Sequence, residues 1–92
     1  MLAATLDPSG RRVELDEERW QHIVQQHPRM ARYVRSVMAA IRDPDRILPG
    51  DEPGEEFFYL EGEGPSRWLK VVVHFEGEEG RIITAFPRSS MP

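Results

Sequence analysis

The chain has 92 residues and no cysteine, with 12 basic against 16 acidic side chains and a net charge of -4. That length supports one domain with a single modest core, and the missing thiols remove disulfide frameworks and thiolate metal sites. The negative balance argues against a generic nucleic-acid binder, which needs clustered Lys and Arg, and no apolar run approaches the ~20 residues that cross a bilayer.

The opening Met1 to Pro8 lacks the basic flank and apolar length of a signal peptide, so a soluble, cytoplasmic protein with no membrane association is expected. Charge is distributed by segment. Residues 28–42 hold Arg29, Arg32, Arg35 and Arg42 without an acid, whereas residues 50–64 hold Asp51, Glu52, Glu55, Glu56, Glu61 and Glu63 without a base.

Residues 2–6 and 11–15 flank Asp7-Pro8-Ser9-Gly10, where Pro8 presets one turn dihedral and Gly10 tolerates positive φ. A short opening hairpin fits there. Asp16 stands where a helix N-cap belongs, followed by Glu17 and Glu18 in the first turn, and Trp20, Ile23, Val24 and His27 recur on one helical face. Pro28 ends this helix or begins the next. Over residues 29–42, Met30, Tyr33, Val34, Val37, Met38 and Ile41 form a second amphipathic stripe, stopped by Asp43-Pro44.

Beyond Pro44 the period changes to that of strands. Residues 46–48 are a short extended segment, residues 49–54 are turn-rich, and residues 56–60 are aromatic enough for a strand. Residues 67–75 form the longest strand, residues 76–80 turn it, and residues 81–86 return. The expected fold class is α+β: two N-terminal amphipathic helices packed on one face of a roughly four-stranded antiparallel sheet, with the short hairpin before them. All 92 residues form one domain, its core spanning about residues 5–88 and a short tail covering residues 89–92.

Alternation along the long strand puts Leu69, Val71, Val73 and Phe75 on a face that meets the helices, and Trp68, Lys70, Val72 and His74 on an open face. Lys70 is the only lysine in the chain. His74 lies ~13 Å from it along the strand, too far for direct cooperation. His22 and His27 are five residues apart rather than the four that align two ligands on a helix, so no metal centre is expected. His27 alternatively satisfies the end of its helix, and His22 is alternatively a solvated helix residue. Whether Thr84 shares a face with Lys70 depends on the register of the last hairpin, which a one-residue slip reverses.

Trp20-x-His22-Ile23, His27-Pro28, a helix rich in Val and Met, Leu69-Lys70-Val71-Val72-Val73 and Ile83-Thr84-Ala85-Phe86-Pro87 recur in a familiar order and spacing. Over about residues 5–89 the pattern resembles the small domains of the barnase, EndoU, colicin D and RelE nuclease group, particularly its phage-associated and toxin-like branches. The resemblance implies a metal-independent endoribonuclease without a cofactor, with helices on one side of the sheet and RNA across the other. It implies His22 or His27, Lys70 and Thr84 as catalytic groups. Arg29, Arg32, Arg35, Arg67, Tyr59 and Arg88 are the expected substrate-binding set. An antitoxin or immunity protein is the partner that such a toxin-like chain implies. The alternatives are a non-catalytic relative serving as a binding or regulatory module, and a homodimer or other oligomer that buries the Trp68 and Val72 face.

Overall fold

The computed structural model describes residues 1–91. Its elements run β1 (Ala3–Leu6), β2 (Arg12–Leu15), α1 (Glu17–Gln26), a 3₁₀ turn (Pro28–Met30), α2 (Val34–Arg42), β3 (Arg46–Pro49), β4 (Glu55–Glu61), β5 (Trp68–Glu76) and β6 (Glu79–Arg88). The α+β class holds. The sheet, however, has six strands in the order β1-β2-β6-β5-β4-β3, and it is mixed rather than antiparallel.

The difference comes from the opening hairpin, which is part of the sheet instead of a preface to it. β2 pairs in parallel with β6, Val13 opposite Gly80 and Glu14 opposite Arg81, so both helices lie between strands in chain order. Alternation in β2 buries Val13 and Leu15, but nothing in four residues names a partner 67 positions away, as Val13 is from Gly80, because pairing at that distance is set by the assembled core.

The second helix is shorter than its apolar stripe. Pro28 begins a 3₁₀ turn, and regular helix starts only at Val34, behind an N-cap Tyr33. Proline suits a first-turn position, and this break reorients the chain so that Ile23, Met30, Val37 and Ile41 all enter one core. Asp16 occupies the N-cap position of α1 with extended backbone, yet its carboxylate makes no capping bond.

Between the helices and the sheet, the core collects Val13, Leu15, Phe58, Leu60, Leu69, Val71, Val73, Phe75, Ile82 and Ala85 against Ile23, Met30, Val37, Met38, Ala40 and Ile41. Burying each large aliphatic or aromatic side chain contributes ~1.5–3 kcal/mol before entropy is subtracted. β5 and β6 are joined by a two-residue hairpin at Gly77 and Glu78, with Gly77 at φ 62°, as a turn with glycine at its first central position requires.

A β-bulge fixes the register of that hairpin. Val72 faces Thr84 and Val73 faces Ile82, leaving Ile83 as the extra residue. Ile82 and Ala85, three apart, therefore both face the core, and Thr84 and Phe86 both face away from it.

The β1–β2 turn is clamped to the sheet by charge. Asp7 Oδ1 accepts from the Ser9 and Arg11 backbone N–H groups at 3.0 and 2.8 Å, and Asp7 Oδ2 accepts from Arg11 Nε at 2.8 Å. Arg11 Nη1 and Nη2 reach Glu56 at 2.8 and 2.9 Å, and its guanidinium lies 3.6 Å over the Phe75 ring. Phe75 in turn faces Gly80, where an added Cβ would come within 2.6 Å of the ring.

Candidate functional site

The sheet face turned away from the core carries a second, smaller cluster. Lys70 stands between cross-strand neighbours Tyr59 on β4 and Phe86 on β6; Val72 is flanked by Phe57 and Thr84, and Trp68 by Glu61 and Arg88. These rows place Lys70, Thr84, Tyr59 and Arg88 on one surface. The bulge is what decides it for Thr84.

This face is closed at its centre, contrary to the open face expected from alternation. Lys70 is only 9% exposed and Val72 8%, while Tyr59 is fully buried. Aromatic residues on both neighbouring strands explain the difference. Lys70 Nζ sits 3.8 Å from the Phe57 ring centroid, with Phe86 at 5.6 Å and Tyr59 at 5.8 Å. Cation–π attraction of ~0.5–2 kcal/mol with the nearest ring offsets part of the cost of desolvating the ammonium.

Lys70 makes no ion pair among the described residues. Burial lowers its pKa from the ordinary lysine value, and the like charge of Arg88 adds to that; Asp51 and Glu55 oppose it more weakly. Burial likewise raises the Tyr59 pKa, with Arg88 opposing. The Tyr59 hydroxyl is buried and has no hydrogen-bond partner among the described residues. A buried polar atom in that state costs ~1–3 kcal/mol, so it is an expensive feature to keep.

His27 ends α1 and borders this cluster. α1 packs against β6, and the parallel pairing with β2 covers β6 only as far as Arg81, so the remaining edge is open to the end of the helix. The imidazole stacks on Phe86 at 5.4 Å with a 26° interplanar angle. His27 N–H also closes the helix on Ile23 O at 2.8 Å. His22 is exposed on α1 and makes no hydrogen bond or ring stack among the described residues. The fold thus brings His27, Lys70, Thr84, Tyr59 and Arg88 around one surface and leaves His22 outside it.

The expected arginines divide. Arg29 Nη2 donates to Pro65 O at 2.7 Å and to Ser66 Oγ at 3.2 Å, and Arg67 Nε donates to Glu61 at 2.8 Å. Both are committed to the loop joining β4 and β5. Arg32 and Arg35 are exposed and carry no ion pair among the described residues. Phe57 and Phe86, the rings that enclose Lys70, were missed by sequence reasoning because their importance depends on cross-strand register. His74 pairs loosely with Glu76 at 3.8 Å, away from the Lys70 rings. No three His, Asp or Glu side chains converge as metal ligands among the described residues, and none of their helices is long and apolar enough to cross a membrane.

Comparison with protein-family models, curated proteins and solved structures returns no match.

Proposed function

We propose that the chain is a metal-independent endoribonuclease of toxin-like or phage-derived type, cleaving RNA through attack of a ribose 2′-hydroxyl on the adjacent phosphate. The observation that carries the reading is Lys70: the sole lysine, its ammonium in an aromatic surround and without an ion pair among the described residues, with Thr84 on the neighbouring strand and His27 at the border. A cation without a carboxylate partner is available to an anion. Aromatic walls lower the local dielectric and so strengthen its effect on developing charge.

In this reading His27 takes the proton of the 2′-hydroxyl and returns one to the leaving oxygen, since an imidazole ring can both accept and donate a proton. Lys70 stabilises the extra negative charge at the phosphorus. Thr84 donates to a non-bridging oxygen, and Arg88 holds a neighbouring phosphate. A ligand reaches Lys70 by displacing the Phe86 or Phe57 ring, because the ammonium is enclosed in the free protein.

The decisive experiment incubates the purified protein with labelled single-stranded RNA in excess chelator. Cleavage leaving 2′,3′-cyclic phosphate ends is expected, with loss of about 10²-fold or more in Lys70→Ala and His27→Ala, while a 2′-deoxy linkage resists. No cleavage by the wild-type chain, or equal cleavage of the 2′-deoxy linkage, defeats the reading. The burial of Lys70 favours a second one, a non-catalytic binding module in which the lysine is held by its rings; it predicts ligand capture without turnover.

A further inference from the structure

We propose that the Trp68 end of this face is a stacking subsite for one unpaired nucleobase, so that single-stranded RNA is the form taken. The proposal deepens the ribonuclease reading and rests on it for the class of ligand.

Trp68 and Lys70 are two residues apart on β5, so they share a face at a separation of ~7 Å along the strand. That spacing lets one unstacked nucleotide reach from the lysine to the indole. Trp68 is half-buried, and its ring is held edge-to-face against Tyr59 at 6.5 Å and 86°. Directly across from it stands Arg88, half-buried on β6. An indole beside a guanidinium provides a π surface for a base and a fork for its phosphate, the pair on which single strands are held without sequence readout.

The segment leading into Trp68 is built to stay in place. Arg29 ties Pro65 O and Ser66 Oγ to the 3₁₀ turn, Ser36 Oγ donates to Glu63 O at 2.7 Å, and Gly62 N–H donates to Arg67 O at 2.9 Å. A platform fixed before binding loses less entropy when the ligand arrives. Glu61 on the Trp68 row is paired with Arg67 at 2.8 Å, and Asp45 Oδ2 is occupied by the Glu61 N–H at 2.7 Å.

Charge gives the face a direction. Arg88 stands opposite Trp68 at one end, while Asp51 and Glu55 lie towards the other, where Glu55 is opposite His74 in the strand register. A phosphate chain anchored at Lys70 is attracted towards Trp68 and repelled from the β3–β4 loop. Paired bases in a duplex keep their faces covered by stacking and cannot use the indole.

The test uses a Trp20→Phe background, which leaves Trp68 as the sole tryptophan, and an uncleavable 2′-deoxy oligonucleotide as the probe. The single strand should quench Trp68 emission, and the same sequence as a duplex should bind at least about tenfold more weakly. Trp68→Leu should weaken single-strand binding, read by anisotropy of a labelled probe, by about tenfold or more, with Trp68→Phe restoring most of it. Arg88→Ala should flatten the salt dependence by about one phosphate contact. Binding with silent Trp68 emission, equal affinity for the duplex, unchanged affinity in Trp68→Leu, or no binding of the probe overturns the subsite. Quenching without cleavage of any RNA leaves the subsite standing and removes only the nuclease reading; cleavage with a silent Trp68 does the reverse.

Discussion

Arg11→Ala removes the clamp between the first turn and the sheet, and its cost can be worked from the contacts. The Asp7 side chain is 0% exposed and that of Glu56 29%. Glu56 can therefore recover water, whereas Asp7 cannot. Removing one partner of a buried pair costs ~3–5 kcal/mol, because an uncompensated charge is left behind. Two backbone N–H groups still hold Asp7 Oδ1 after the substitution, which places the expected loss at the lower end, about 3 kcal/mol, including the lost stacking on Phe75. For a domain of this size that is a fall in melting temperature of roughly 12–24 °C. Urea unfolding followed by circular dichroism measures it, alongside Asp7→Asn and the double substitution. A loss under about 1 kcal/mol, or single-site effects that simply add, would refute the claim that Asp7 and Arg11 act as a buried unit.

Tyr59→Phe deletes a buried hydroxyl that has no partner among the described residues, so the variant should be more stable by about 1 kcal/mol in thermal melts; a destabilised variant would show that the hydroxyl is satisfied. Lys70 has a lowered pKa in the folded chain, so just below 10.5 the unfolded chain binds more protons and stability rises with pH. Lys70→Met should abolish that rise in urea midpoints taken below about pH 10, and an unchanged slope would contradict a desolvated ammonium. The raised pKa of Tyr59 acts in the opposite sense only above its ordinary 10.0, outside that range. Gly80→Ala drives a methyl into the Phe75 ring and towards Val73, with an expected loss of ~1–3 kcal/mol; a neutral result would show that the ring yields freely.

Local periodicity made part of this fold legible. The alternation of Leu69, Val71, Val73 and Phe75 identified the core face of β5, and the helical spacing of Trp20 with Ile23 placed one side of α1 inward. What could not be read were relations between distant segments. The bulge at Ile83 changes which residues of β6 share a face, and its effect is visible only with β5 alongside. Parallel pairing of β2 with β6 left no local trace either, since Val13 and Leu15 alternate the same way beside any neighbour. The site shows the same division. Lys70 stood out as the sole lysine, while its enclosure by Phe57 and Phe86 and the placing of His27 rather than His22 beside Phe86 depend on strands and helix being assembled.

The position of β6 has a consequence for how the molecule comes into being. It is the last strand in chain order, yet it lies inside the sheet, between β2 and β5. During synthesis the opening hairpin must wait, its inner edge unpaired, until residues 79–81 emerge to meet it. Thr84, Phe86 and Arg88 arrive later still. The surface around Lys70 is therefore completed only once residues 84–88 have been made, so a nascent chain that already displays Lys70 lacks the groups that would surround it.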